Sequence, residues 1–285
     1  MVIPSNNGYR YQVCQIGGFR MLEWLWLRFV YGRLLLNWSW EPDWYDLQKN
    51  DVEHWGICDG NRLVGGVRLY RPKKIETTMQ YRVATFCSML ESSAKDVLRD
   101  NIQHVLEITR LLLFGRVQKE RKTRKQVLAL LMRRIYTQAL LQGRPLGLAV
   151  VNPFTKRILA RVPAEIAVIG ETLLPSKNAL ERKQYGTKVP HYTLLIVMPS
   201  IEEMQHRGGE WWLQEVMELG KADLVRDRYP EDVVMEVRGA LKPFFCDPFD
   251  NVNKWHILNE VKKQPSQESA SLDYSVSTLP RNDVM

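Results

Sequence analysis

The stretch Val105–Arg116, VLEITRLLLFGR, sets one acid, Glu107, and one base, Arg110, into an otherwise apolar run. Ile108, Leu111, Leu112, Leu113 and Phe114 surround the two charges, and Gly115 closes the run. An apolar run bounded in this way fits a buried strand. A charge inside a buried strand is costly unless it is paired or hydrogen-bonded. Glu107 and Arg110 therefore need a partner, a polar cavity or a chemical task. The residues that follow, Gln118–Arg134, are strongly basic and then take on the apolar stripe of a helix. Strand, glycine, basic turn and helix, in that order, make a grip for a phosphate-bearing group. An internal ion pair between Glu107 and Arg110 that does no chemistry accounts for the two charges as well.

Working outward, the 285 residues suffice for one large domain or a domain with an extension. The N-terminus begins with polar residues (Pro4, Ser5, Asn6, Asn7), so no signal peptide is expected. The longest apolar stretch, Leu22–Leu36, is broken by Glu23, Arg28 and Arg33, so no membrane span is expected. Four scattered cysteines (Cys14, Cys58, Cys87, Cys246) read as reduced thiols of a cytoplasmic protein. Neither they nor the five histidines have metal-ligand spacing, and no metal site is expected. The net charge of +8 attracts anionic partners, nucleic acid, an acidic protein or a phosphate group among them. Much of the excess lies in Arg116–Arg134, and such a run is also common on a solvated helix face.

Periodicity gives a short first strand at Tyr9–Val13 and a helix at Met21–Trp40, ended by Pro42. Asp43-Trp44-Tyr45-Asp46 follows in a loop, where two acids three apart beside aromatics suit a cation or an amine. Val52–Cys58 and Leu63–Tyr70 form a hairpin about Asp59-Gly60-Asn61, with Arg68 on its second strand. Lys73–Thr78 and Asp96–His104 read as polar links. A helix at Lys125–Gln142, a strand at Pro145–Asn152, a short helix at Pro153–Val162 and strands at Ile166–Ile169 and Tyr192–Val197 complete the unit. The sum is an α/β chain, a mixed sheet with several antiparallel strands and helices on both sides. Beyond Pro199, Ser200 and Glu203 have capping-box spacing. Helices are expected at Ser200–Leu219, Pro230–Leu241 and Asn251–Lys262. The expected organisation is a domain at 1–199, a helical extension at 200–263 and a Ser-rich disordered tail at 264–285.

These parts together resemble the acyl-homoserine-lactone synthases, the bacterial autoinducer synthases, over about residues 9–198. The resemblance rests on five elements in order: Arg28 with Trp38 ten positions later, Asp43-Trp44-Tyr45-Asp46, the hairpin ending in Arg68, Phe86, and the strand carrying Glu107, Thr109 and Arg110. Departures are Gly32 where the family has an aromatic, Leu35 near a second helix arginine, and Arg161-Val162-Pro163 in place of a Gly-Trp. The resemblance implies a twisted, mostly antiparallel sheet of N-acetyltransferase-like fold. It implies N-acylation of S-adenosylmethionine and lactone closure with loss of methylthioadenosine, for quorum sensing. The acyl donor would be acyl-acyl-carrier protein or acyl-coenzyme A, with S-adenosylmethionine as substrate and no tightly bound cofactor.

Within that resemblance, Glu107 and Arg110 are the catalytic candidates. The attacking amine must be neutral, so a base takes its proton, and Glu107 suits that task directly or through water. Burial favours its neutral form and a nearby guanidinium favours the anion. Asp43 and Asp46 suit the positive groups of S-adenosylmethionine, and Arg28 or Arg110 its carboxylate. Trp38 suits the adenine or the sulfonium. Arg68 holds the acids in place, and Phe86 and Thr109 complete the substrate set. Lys119, Arg121, Lys122 and Arg124 would meet phosphopantetheine or the acidic carrier protein. The acyl chain is expected among Leu146, Leu148, Val150 and Phe154.

Two other readings compete. One is an N-acyltransferase of the same fold that acts on a different amine or amino acid. The other is a nucleic-acid binder using the positive charge, against which the basic residues cluster in one run without a helix-turn-helix or zinc pattern.

Overall fold

The computed structural model describes residues 11–29, 50–78, 92–159, 162–175 and 187–245. Trp38, Asp43, Asp46, Phe86 and the expected helix at 251–262 lie outside the described residues. The strands are Tyr11–Gln15 (β1), Val52–Asp59 (β2), Arg62–Tyr70 (β3), Val105–Leu113 (β4), Leu146–Val151 (β5), Glu165–Pro175 (β6) and Lys188–Val197 (β7). The helices are Phe19–Phe29 (α1), Ser92–Asp100 (α2), Arg116–Lys119 (α3), Arg121–Leu141 (α4), Pro153–Leu159 (α5), Ile201–His206 (α6), Glu210–Glu218 (α7), Ala222–Arg228 (α8) and Glu231–Ala240 (α9). The described strands make one seven-stranded sheet in the order β1-β2-β3-β4-β5-β7-β6. Every neighbouring pair is antiparallel except β4 and β5, which are parallel and joined through α3 and α4. This is a mixed, mostly antiparallel sheet, as the resemblance implies.

Alternation along the strands sorts the side chains onto two faces. On one face, Val67, Leu69, Leu106, Ile108, Ala149, Leu194 and Ile196 share a core with Val127, Leu131 and Ile135 of α4. Trp211, Trp212 and Val216 of α7 belong to the same core. On the other face, Val105, Leu146, Leu148, Leu195 and Val197 are buried with Ala94 and Leu98 of α2 and Val234 and Val237 of α9. Trp24 of α1 covers that face at the β1 end, with Cys14, Cys58, Leu63 and Phe114. Between the α1 corner and the α2–α9 corner, the second face carries its polar residues.

Twelve of the 21 residues of α4 are buried, so from Val127 onward the helix has little polar face to offer water. The helices after Pro199 supply its cover. Arg134 of α4 reaches Glu215 of α7 at 2.5 Å, and its guanidinium lies over the Trp55 ring at 3.5 Å. Burial lowers the Arg134 pKa, and Glu215 opposes that shift.

The structure departs from the periodicity in four places. The helix expected from Lys125 begins at Arg121, so most of the basic run lies on helix rather than in a turn. The link expected at Asp96–His104 is largely helix, because Ala94 and Leu98 are one turn apart and both bury. The helix expected at Ser200–Leu219 starts with the capping box as read, Glu203 N donating to Ser200 Oγ at 3.2 Å, but breaks at Gly208-Gly209. There Gly208 takes φ +70°, and a Cβ on Gly209 would collide with Met204. The fourth is α8, an unexpected short helix that buries Val225.

Trp212 lies at the joint between α7 and α4, 3% exposed, with its ring edge-on to Tyr136. Trp212→Ala is expected to destabilise the whole chain by about 3–5 kcal/mol, in one transition shared with the sheet. Urea unfolding followed by far-UV dichroism checks this; an unchanged midpoint, or a separate early transition, contradicts it.

Candidate active site

The site is a polar row set into the second face of the sheet. Register pairs His54 of β2 with Arg68 of β3, and Arg68 with Thr109 of β4. The next row pairs Tyr70 with Glu107, and Glu107 with Leu148 of β5. Arg68 is the hub. Its Nη1 is 3.9 Å from Glu107 Oε2 and donates to Thr109 Oγ1 at 3.3 Å. Its guanidinium also lies 5.2 Å from the centre of the Tyr70 ring. Glu107 is 1% exposed and Arg68 6%. The cation that meets Glu107 from β3 is thus Arg68.

Helix α1 roofs the row from the β1 side. Gly66 makes this possible: a Cβ there would stand 2.6 Å from the Trp24 ring. Trp24 meets His54 edge-on at 6.3 Å between ring centres, and Arg28 lies over Trp24 at 5.6 Å. Arg28 is therefore brought to the same face as Arg68 and Glu107, where it is 2% exposed.

Two backbone features open the sheet beside Glu107. The first is a bulge in β4. Gly66 pairs with Leu112 but Arg68 with Thr109, so Arg110 and Leu111 together oppose Val67. Arg110 has φ +57°, the one positive φ on a non-glycine among the described residues. That conformation costs about 1–2 kcal/mol for a residue with a Cβ. Strain of this kind gathers at functional sites. The second is the parting of β4 and β5: pairing runs from Val105 to Glu107 against Leu146 to Leu148 and stops there. From Glu107 onward the two parallel strands are no longer paired.

At the far end of β4, Gly115 turns the chain with φ +59° into the basic run. Lys119 closes α3, and Arg121, Lys122 and Arg124 lie in the first turn of α4, which holds no acid. Cations at a helix N-terminus stand against the helix dipole, an arrangement that an anion relieves. Lys119, Arg121 and Lys122 are exposed and Arg124 is half-buried.

The expected acyl-chain residues divide. Leu146 and Leu148 are fully buried in the core beneath α9, so they are packing residues and not a free lining. Val150 is half-buried. His54 and Tyr70 went unnoticed in the sequence; their signal was the two-residue alternation of the hairpin strands about Arg68. Among the described residues no group of three or more His, Cys, Asp or Glu is placed to hold a metal, and no helix is long and apolar enough to cross a membrane.

No family model matches the chain, and no curated protein matches it in sequence. Solved structures do. FeeM, an N-acyl amino acid synthase from uncultured soil microbes, is 10% identical, with a TM-score of 0.46, covering 66% of this chain and 91% of its own. The acyl-homoserine-lactone synthase LasI is 14% identical, with a TM-score of 0.46, covering 68% of this chain and 92% of its own. The coenzyme A-dependent acyl-homoserine-lactone synthase BjaI, solved with methylthioadenosine, is 16% identical, with a TM-score of 0.41, covering 79% and 97%.

If Arg68 compensates the buried Glu107, removing one partner hurts more than removing both. Arg68→Met is expected to cost about 3–5 kcal/mol of stability, and adding Glu107→Gln to restore part of it. A double-mutant cycle from urea unfolding should return a coupling of about 1–3 kcal/mol; additivity would contradict the pairing.

Proposed function

We propose that this chain is a cytoplasmic acyltransferase that makes an N-acyl-homoserine lactone from S-adenosylmethionine and an acyl thioester. The observation that carries the reading is the buried Glu107 carboxylate, held by Arg68 at the point where β4 and β5 part. A carboxylate where the strand pairing ends, with a cation beside it and a strained bulge three residues on, suits removal of a proton from an amine.

In this reading the thioester lies along the edge of β4 that β5 leaves unpaired. Backbone N–H groups of that edge stabilise the oxyanion, usually the largest electrostatic contribution to acyl transfer. Glu107 takes the amine proton, directly or through one water. The nitrogen–carbonyl bond forms, the carbon–sulfur bond breaks, and the thiol leaves with a proton. The carboxylate of the acylated product then attacks the carbon next to the sulfonium. That carbon–sulfur bond breaks, the lactone closes and methylthioadenosine departs. Arg28 or Arg110 orients the substrate carboxylate, and Thr109 keeps Arg68 aimed at Glu107. Trp38, Asp43, Asp46 and Phe86 complete the amine pocket by the family resemblance.

The basic residues Lys119, Arg121, Lys122 and Arg124 serve the donor. They suit the phosphate of phosphopantetheine, and their charge favours an acidic acyl-carrier protein through faster docking. Acyl-coenzyme A offers the same phosphate chemistry. We also propose that residues 1–199 form the catalytic unit and that residues 200–263 brace it; the Arg134–Glu215 pair supports this.

The test is turnover by purified protein, with S-adenosylmethionine and either acyl-carrier-protein or coenzyme A thioesters. Methylthioadenosine and free thiol are followed together. Glu107→Gln is expected to lower kcat by about 10²- to 10⁴-fold while the fold is kept. Near-normal turnover by Glu107→Gln would remove the base role. Thiol release with another amine, without methylthioadenosine, would favour an N-acyltransferase of different acceptor.

A further inference from the structure

Cys14 on β1 and Cys58 on β2 face the same corner beneath α1, with their sulfurs 2.9 Å apart. Both are free thiols, 5% and 2% exposed. The strand register sets Cys14 opposite Gly56 and Cys58 opposite Gln12, so the two are diagonal neighbours on one face. A third group joins them: Arg20 of α1 donates from Nη1 to Cys58 Sγ at 2.7 Å. Two cysteines used only as small apolar fillers need no guanidinium. Arg20 is half-buried, so this edge-strand corner stands one side chain from water.

The two thiols are unequal. The hydrogen bond between the two sulfurs lowers the Cys58 thiol from its ordinary value against burial and the Glu23 carboxylate, and Arg20 adds to the lowering. The same bond, with burial, pushes Cys14 upward. The guanidinium of Arg20 against Cys58 favours the thiolate there and leaves Cys14 as the neighbouring thiol, the arrangement of an attacking and a resolving cysteine.

We propose that Cys14 and Cys58 are a redox modification site, at which a hydroperoxide converts the dithiol into an intramolecular disulfide. The Cys58 thiolate attacks the terminal oxygen of the hydroperoxide. A sulfur–oxygen bond forms, the oxygen–oxygen bond breaks, and hydroxide or alkoxide leaves. Cys58 is now a sulfenic acid, two electrons oxidised. Cys14 then attacks the Cys58 sulfur; the sulfur–sulfur bond forms, the sulfur–oxygen bond breaks, and water leaves with the Cys14 proton. The sulfurs close from 2.9 Å to about 2.0 Å. A diagonal cross-strand pair is spaced wider than an ordinary disulfide spans, so the edge strand shifts as the bond closes, and the strained bond is one that a thiol reductant reopens. Oxidation also alters the sulfur that accepts from Arg20, one of the ties between α1 and the sheet.

The test uses the full chain, treated with limited hydrogen peroxide, alkylated, digested without reduction and analysed by mass spectrometry. The expected product is a peptide pair joining Cys14 to Cys58, lighter by two hydrogen atoms and reopened by dithiothreitol. Cys14→Ser should stop the reaction at a Cys58 sulfenic acid that dimedone traps, and Cys58→Ser should leave Cys14 alkylatable. The proposal is overturned if Cys14 and Cys58 stay alkylatable at doses that oxidise Cys87 or Cys246. A disulfide joining Cys58 to either of those would overturn it too.

Discussion

Arg68 and Glu107 are opposite charges withdrawn from water on adjacent strands of one sheet. Burying two such charges costs several kcal/mol each, and their mutual attraction repays it only with good geometry and further hydrogen bonds. Two apolar side chains would hold the sheet together at no such cost. Much of the surrounding structure is arranged to keep the pair where it is. Thr109 accepts from Arg68, the Tyr70 ring lies under its guanidinium, and Trp24 shelters the row through the space that Gly66 leaves. The bulge at Arg110 and the end of the β4–β5 pairing lie beside the carboxylate.

That parting has consequences for the remainder of the chain. Parallel β4 and β5 need a crossover, and α4 provides it along the face opposite Glu107. A crossover helix buried on the sheet side alone would show water a polar back. Here Tyr136, Ala139 and Leu140 are buried as well, so α4 needs a second cover. Helix α7 gives it through Trp211 and Trp212, and the Arg134–Glu215 ion pair joins the two helices at that contact. On the Glu107 side, α9 closes over Leu146 and Leu148. The helices beyond Pro199 are thus packed against both faces of the sheet.

Much of this was legible from residue pattern alone. The hairpin, the strand at Val105, the long helix, the strand at Leu146 and the Ser200 capping box all follow from periodicity and turn chemistry. The polar row was not. The observed turn, Gly60-Asn61, is one residue shorter than the Asp59-Gly60-Asn61 read from the sequence, and by itself it would pair His54 with Val67, on the wrong face for a partner of Arg68. A register shift between Ile57 and Cys58 moves the pairing by one residue and sets His54 opposite Arg68. The extra residue is Val64, and its local sign, the adjoining Gly65-Gly66, does not say where along the hairpin the shift falls. The positive φ of Arg110 was hidden as well: arginine carries no preference for it, and the fold imposes it. Leu146 and Leu148 read as an acyl lining because composition cannot tell a cavity wall from a core, and α9, far along the chain, decides which they are.

Under the proposed function, Glu107 serves acyl transfer to the amine of S-adenosylmethionine. Mass spectrometry of lipid extracts from a bacterium expressing this chain tests it most directly. The account predicts an acyl-homoserine lactone that is absent from the same host without the chain, and its mass would give the acyl length. Folded protein in the cells with no lactone in the extract would contradict the account.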